Sequence, residues 1–230
     1  MATTKTDRRP ATGPKGRPKR NGLLWAGIAA GIVAVLVAVI LFITNRPPST
    51  AEGQAQPAAA GYAVGNPGPG AEAPGFSLPS TSGSTLNLSD YRGQSVLLYF
   101  HEGLGCQPCW DQLRDIEARW GDFQALGIDR IVSITSDPLD VLEGKVALEG
   151  LDTPLLSDPG VEVSRTYEAN LYTMMGNTMN GHSFVIVGPD GVIEWRADYG
   201  GPPDYTMYLP VDALLGDITN SSAVADRTVR

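Results

Sequence analysis

Cys106 and Cys109 are the only cysteines in the chain, and they sit two residues apart in Cys106-Gln107-Pro108-Cys109. Two thiols at that spacing can exchange electrons as a dithiol/disulfide couple, one sulfur attacking and the other closing the bond. Their setting strengthens this reading. The run SVLLYF, Ser95 to Phe100, is apolar and β-prone; the polar, glycine-bearing turn HEGLG follows; and a helical pattern starts at the cysteines. A cysteine at a helix start faces unsatisfied backbone N–H groups and the positive end of the dipole, which favours its thiolate. Cys109, one turn further on the same face, is within disulfide reach. Pro108 costs little there, because a first-turn N–H has no intrahelical partner. With no other cysteine, neither a structural disulfide framework nor a four-thiolate metal site is available.

The elements that must hold this pair can be read from patterning. Leu113, Ile116 and Trp120 recur at helical offsets and predict a helix over Cys109 to Trp120, with Gly121 and Gly127 as candidate stops. Arg130 to Thr135 reads as a second strand, followed by a helix opened by Ser136-Asp137-Pro138 and carrying Leu139, Val141, Leu142 and Val146. A short strand at Thr153 to Leu156 and a helix at Val161 to Tyr167 come next. His182 to Gly188 and Val192 to Arg196 flank the turn Pro189-Asp190-Gly191 as a hairpin, and Pro210 to Ile218 closes the domain as a helix. The expected fold class is α/β, with a central mixed sheet flanked by helices.

The rest of the chain divides by composition. Residues 1–22 form a basic tail expected to be disordered. Leu23 to Ile43 is twenty-one residues without a charge, long enough for a single membrane-spanning helix. The basic cluster Lys15 to Arg20 precedes it and only Arg46 follows closely, which predicts a cytoplasmic N-terminus and an extracytoplasmic domain, a cleaved signal peptide being the rival. Residues 44–72 read as a Pro/Gly/Ala-rich linker in which Tyr62 and Val64 are incidental. The folded domain is expected over 73–218 and a frayed tail over 219–230. From residue 47 onward nine Lys/Arg face twenty-four Asp/Glu, so a nucleic-acid partner is excluded on charge; the expected contact with lipid is through the N-terminal helix alone.

Six stretches, APGFSL, LSDYRGQSVLLYF, GCQPCWDQL, DRIVSITSD, TPLLSDPGVEVSRTY and GHSFVIVGPDGVIEWRADYG, occur in the order and spacing of the thioredoxin-like superfamily. They resemble its branch of peroxiredoxin-like (alkyl hydroperoxide reductase/thiol-specific antioxidant) proteins and membrane-anchored thiol-disulfide oxidoreductases. The resemblance implies that Cys106 is the attacking cysteine and Cys109 the buried resolving one. It implies no cofactor beyond the dithiol, and as partners disulfide- or thiol-bearing proteins, a redox partner and, for a peroxidase, peroxide. Gly181 falls where the family usually has a cis-proline facing the dithiol; glycine permits close backbone approach without imposing a cis bond. Peroxiredoxins typically carry PxxxTxxC, whereas Tyr99 and Gly103 stand at the Pro and Thr positions here. Against the YRGxWCPxC pattern of a related branch, Gly103 is kept while Glu102 and Gly105 replace Arg and Trp. Arg165 or Arg196 could supply a cation through the fold.

Four further side chains complete the candidate site. His101 could stabilise or relay a proton to Cys106, or simply face solvent in the turn. Glu102 could serve Cys109 as acid or base if turned inward, or lie in water. His182, next to Gly181, is expected near the dithiol. Met174, Met175 and Met179 precede that histidine, so Cys106, Cys109, Met179 and His182 form an alternative Cu(I) set. Copper-delivery members of the superfamily separate their cysteines by three residues, not two. The tyrosines of Asp198 to Leu209 could rim the site or pack over the sheet.

Overall fold

A computed structural model describes residues 61–221 of the chain. Its centre is a five-stranded mixed sheet in the order β5-β4-β3-β6-β7. Strands β3 (Val96–Phe100), β4 (Arg130–Thr135) and β5 (Leu155–Ser157) run parallel, while β6 (Ser183–Val187) and β7 (Ile193–Asp198) form the antiparallel hairpin on the other side of β3. Every residue of β3 is buried, as expected of a strand covered on both faces. Its alternation sorts the two cores. Leu97 and Tyr99 join Trp110, Leu113 and Ile116 of α1 (Gln107–Ala118), Phe123 of α2 (Trp120–Ala125), Leu142 of α3 (Leu139–Glu149), and Val211, Leu214 and Ile218 of α5 (Val211–Asn220). Val96, Leu98 and Phe100 point the other way, toward Phe76, Leu78 and Leu88 and toward Tyr167, next to the short helix α4 (Glu162–Thr166). The small hairpin β1 (Ser77–Pro79) and β2 (Thr85–Asn87) belongs to this second layer.

The expected α/β mixed sheet is present, with three corrections. The helix expected to run to Trp120 ends at Ala118 with Arg119 as its cap; α2 then starts afresh, Gly121 lies inside it, and Gly127 at φ 77° is the stop. A 3-10 turn, Ala169–Leu171, was not expected. The largest correction concerns 61–72, which composition alone places in the linker. Ala63 pairs with Asp198 at the free edge of β7, Glu72 with Val192, and the Gly65 N–H donates to the Asp198 carboxylate at 2.7 Å. Tyr62 packs edge-on against Trp195 and Tyr199, so it is an anchor and not incidental. The physical reason is that β7 has an unpaired edge and apolar rings beside it, which this strap covers.

Among the described residues no helix is long and apolar enough to cross a membrane. The expected membrane segment at 23–43, the tail at 1–22, the linker at 44–60 and the end at 222–230 lie outside them.

Candidate active site

Cys106 stands at the N-cap of α1, at the C-terminal end of β3, and Cys109 lies one turn in. The two are joined in a disulfide with Cα atoms 5.4 Å apart, within the usual range for such bonds. Cys106 is 5% exposed and Cys109 is fully buried. The preceding turn is pinned from both sides. The Leu104 N–H donates to Asp137 Oδ2 at 2.9 Å, and Trp110 Nε1 donates to the Gly103 carbonyl at 2.9 Å. Gly103 has φ 75°, and a Cβ there would overlap the Asp137 carboxylate, so only glycine fits.

Beneath the dithiol lies an aromatic stack. Tyr99 sits between His101 (centroids 4.8 Å) and Phe184 (4.4 Å), and its hydroxyl meets His182 Nδ1 at 3.2 Å and the Cys109 carbonyl at 3.4 Å. His101 is wholly buried, against the solvent-facing alternative; its Nδ1 accepts the Gly103 N–H at 3.1 Å and its ring meets Trp110 edge-on. Burial pushes the His101 imidazole down to about 3, and burial followed by the neighbouring His101 does the same to His182. Both are neutral at physiological pH, and both leave a buried Nε2 unpartnered. Burial also raises the Tyr99 phenol well above its ordinary range, so it acts as a neutral hydrogen-bond bridge. Tyr99, a residue that the sequence presents as strand core, links His182 to the Cys109 backbone.

Glu102 is also turned inward, 6% exposed, with its Oε1 accepting the Thr173 hydroxyl at 2.6 Å. This bond ties the methionine loop to the Cys106 turn. Met174 and Met175 are 57% and 62% exposed on that loop, and Leu104 joins them as an exposed apolar side chain. Met179 is half-buried. Among the described residues no group of three or more His, Cys, Asp or Glu is gathered as a metal requires. Gly181 is held by its neighbours' backbone: its N–H donates to the Ala169 carbonyl, and a Cβ would overlap the Tyr172 carbonyl oxygen. Cis peptide bonds occur at Asn66-Pro67 and Pro202-Pro203, not at Gly181.

The two arginines are committed elsewhere. Arg196 is buried, paired with Asp198 at 2.8 Å and bonded to the Pro67 carbonyl, and Arg165 donates to the Gly160 carbonyl. Two of the three tyrosines after β7 brace other parts of the domain, Tyr199 bonding Asp217 and Tyr208 bonding Asp115 on α1, while Tyr205 is exposed.

Residues 69–196 match the AhpC/TSA family. A putative peroxiredoxin of Mycobacterium tuberculosis is 37% identical over 128 residues, covering 54% of this chain and 81% of its own. Peroxiredoxin Bcp of Escherichia coli is 30% identical over 125 residues, covering 53% and 80%. Among solved structures, Enterococcus faecalis AhpC superposes with a TM-score of 0.57 at 18% identity over 69% of this chain and 94% of that one. Peroxidoxin BcpB of M. tuberculosis gives 0.55 at 19% over 71% and 98%. At these identities the structural likenesses speak for the fold.

Proposed function

The chain belongs to the AhpC/TSA family and is an oxidoreductase, and from that premise we propose that it exchanges its Cys106–Cys109 dithiol with disulfides of other proteins. One observation supports the reading: a disulfide joins Cys106, at the N-cap of α1, to Cys109, buried one turn into the same helix. The Cys106 thiolate attacks one sulfur of the partner's disulfide, that S–S bond breaks, and the other sulfur leaves as a thiolate that takes up a proton. Cys109, losing its own proton, then attacks Cys106 Sγ; the partner leaves with both thiols reduced, and two electrons have left the chain. In reverse the same couple oxidises a dithiol. The cycle calls for no cofactor, since the sulfurs carry the electrons.

A second reading is favoured by the relatives, which are named as peroxiredoxins. The Cys106 thiolate would attack a peroxide oxygen, giving sulfenic acid and an alcohol or water. Cys109 would then displace water to form the same disulfide, and an external thiol reductant would restore the dithiol. Against it stand the missing hydroxyl at Gly103 and the engagement of Arg196 with Asp198.

The proposal extends to location: the apolar segment 23–43, with basic residues before it, would tether the domain on the extracytoplasmic side of the membrane. Protease treatment of intact cells tests this; digestion of the domain is expected, and full protection would contradict it.

For the activity, the reduced full-length chain is mixed separately with hydrogen peroxide and with a disulfide-bonded protein, and Trp110 fluorescence and mass are followed. Fast exchange with the disulfide and slow reaction with peroxide are expected. Fast, Cys106-dependent oxidation by peroxide would install the peroxidase reading instead.

A further inference from the structure

Gln107, the first residue between the two cysteines, is clamped from α3. Its side-chain Oε1 accepts from Lys145 Nζ at 3.0 Å, and its Nε2 donates to Asp111 Oδ1 at 3.1 Å and Glu149 Oε1 at 3.3 Å. Both amide hydrogens and one oxygen lone pair are thus used, on a side chain that belongs to an exposed residue. Lys145 is itself fixed. It is 16% exposed, bonds Glu149, and stands 5.2 Å over the ring of Trp110, whose Nε1 holds the Gly103 carbonyl. Arg114 completes the cluster by bonding both Glu149 and Asp111. Leu142 is the one fully buried residue of α3, so this helix contributes little to the core while carrying two partners of the active-site turn.

We propose that Lys145 is a positioning residue for the dithiol: by fixing Gln107 and packing on Trp110 it holds the Cys106-to-Cys109 turn in the geometry in which the disulfide closes. Preorganisation of this kind raises the effective concentration of Cys109 at Cys106, and so favours the disulfide over the open dithiol. Charge is not the means. Two cations, Lys145 and Arg114, face two carboxylates, Glu149 and Asp111, and the cluster is neutral. The inference rests on Cys106–Cys109 being the redox couple proposed above.

The test is the equilibrium of the full-length chain with glutathione. Glutathione disulfide and the chain's dithiol give the internal disulfide and two glutathione thiols, one S–S bond breaking as the other forms and both protons passing to glutathione. Lys145→Met is expected to lower the equilibrium constant about tenfold, which corresponds to about 30 mV for a two-electron couple. Lys145→Arg, which keeps a donor and a cation, should recover part of the loss. Gln107→Ala should reproduce it, and the double variant should add nothing further, since both changes open one clamp. In Gln107→Ala, which changes no charge, the Cys106 thiolate titration should stay where it is. An equilibrium constant within twofold of the parent's, additive losses, or a shifted thiolate titration with an unchanged constant would each overturn the inference. No protein substrate enters this measurement, so a chain that equilibrates with glutathione yet is inert toward disulfide-bonded proteins and peroxide would overturn the proposed function alone.

Discussion

Two neutral histidines under a redox dithiol set a pH signature. Unfolded, each imidazole titrates near its ordinary value of 6.5; folded, burial holds it near 3. A base whose folded value is depressed gives up no stability above its unfolded value. Below it the unfolded chain binds protons that the folded chain refuses, so stability falls as pH drops from about 6.5 toward 3. The slope should approach about 1.4 kcal/mol per pH unit for each histidine, read from denaturation midpoints between pH 7 and 4.5. Imidazole resonances that titrate near pH 6 in the folded chain would contradict this. Gly181 gives a second prediction at the same scale. A methyl group there meets backbone and not a yielding side chain, so Gly181→Ala should cost about 3 kcal/mol, checked by the shift of the urea midpoint. The placement of Cys106 at a helix start with Cys109 one turn on was legible because their spacing and setting are local. That His101 and Glu102 turn inward was not, because a two-residue polar stretch after a strand has no periodicity; their burial rests on Trp110, across the turn, and on Thr173, 71 residues away in sequence.

Among the elements, the strap at 61–67 and the α3 clamp show what periodicity cannot reveal. The strands and α1 announced themselves because an alternating or three-to-four-residue apolar pattern reports burial directly. The strap has no such pattern. It is held by Tyr62 and by backbone groups that pair with β7, so its composition resembles a linker while its hydrogen bonds do not. Asp198 is the link: it is buried, holds Arg196 and receives the Gly65 N–H. Asp198→Asn leaves the Arg196 charge without its partner and should cost about 3–5 kcal/mol. Hydrogen exchange at Ala63 should quicken in the same variant, and an unchanged exchange rate would show that the strap is held by Tyr62 alone. The α3 helix was legible as a helix, but its contacts with Gln107 were not, since a Lys and a Glu four residues apart on a helix carry no signal of a partner outside it.

At the scale of the molecule, the chain joins a peroxiredoxin-family frame to a thiol pair whose two sulfurs share one helical turn. That combination makes the order of events at the sulfurs the central claim. The most direct measurement uses Cys109→Ser, in which the first step can occur and the second cannot. The reduced variant is mixed with a disulfide-bonded protein and the products are weighed intact. The expected result is a stable adduct of chain and partner linked through Cys106, absent in Cys106→Ser and resolved at once in the parent. No adduct with the disulfide, together with sulfenic acid accumulating on Cys106 after peroxide, would contradict the exchange mechanism and leave the peroxidase in its place.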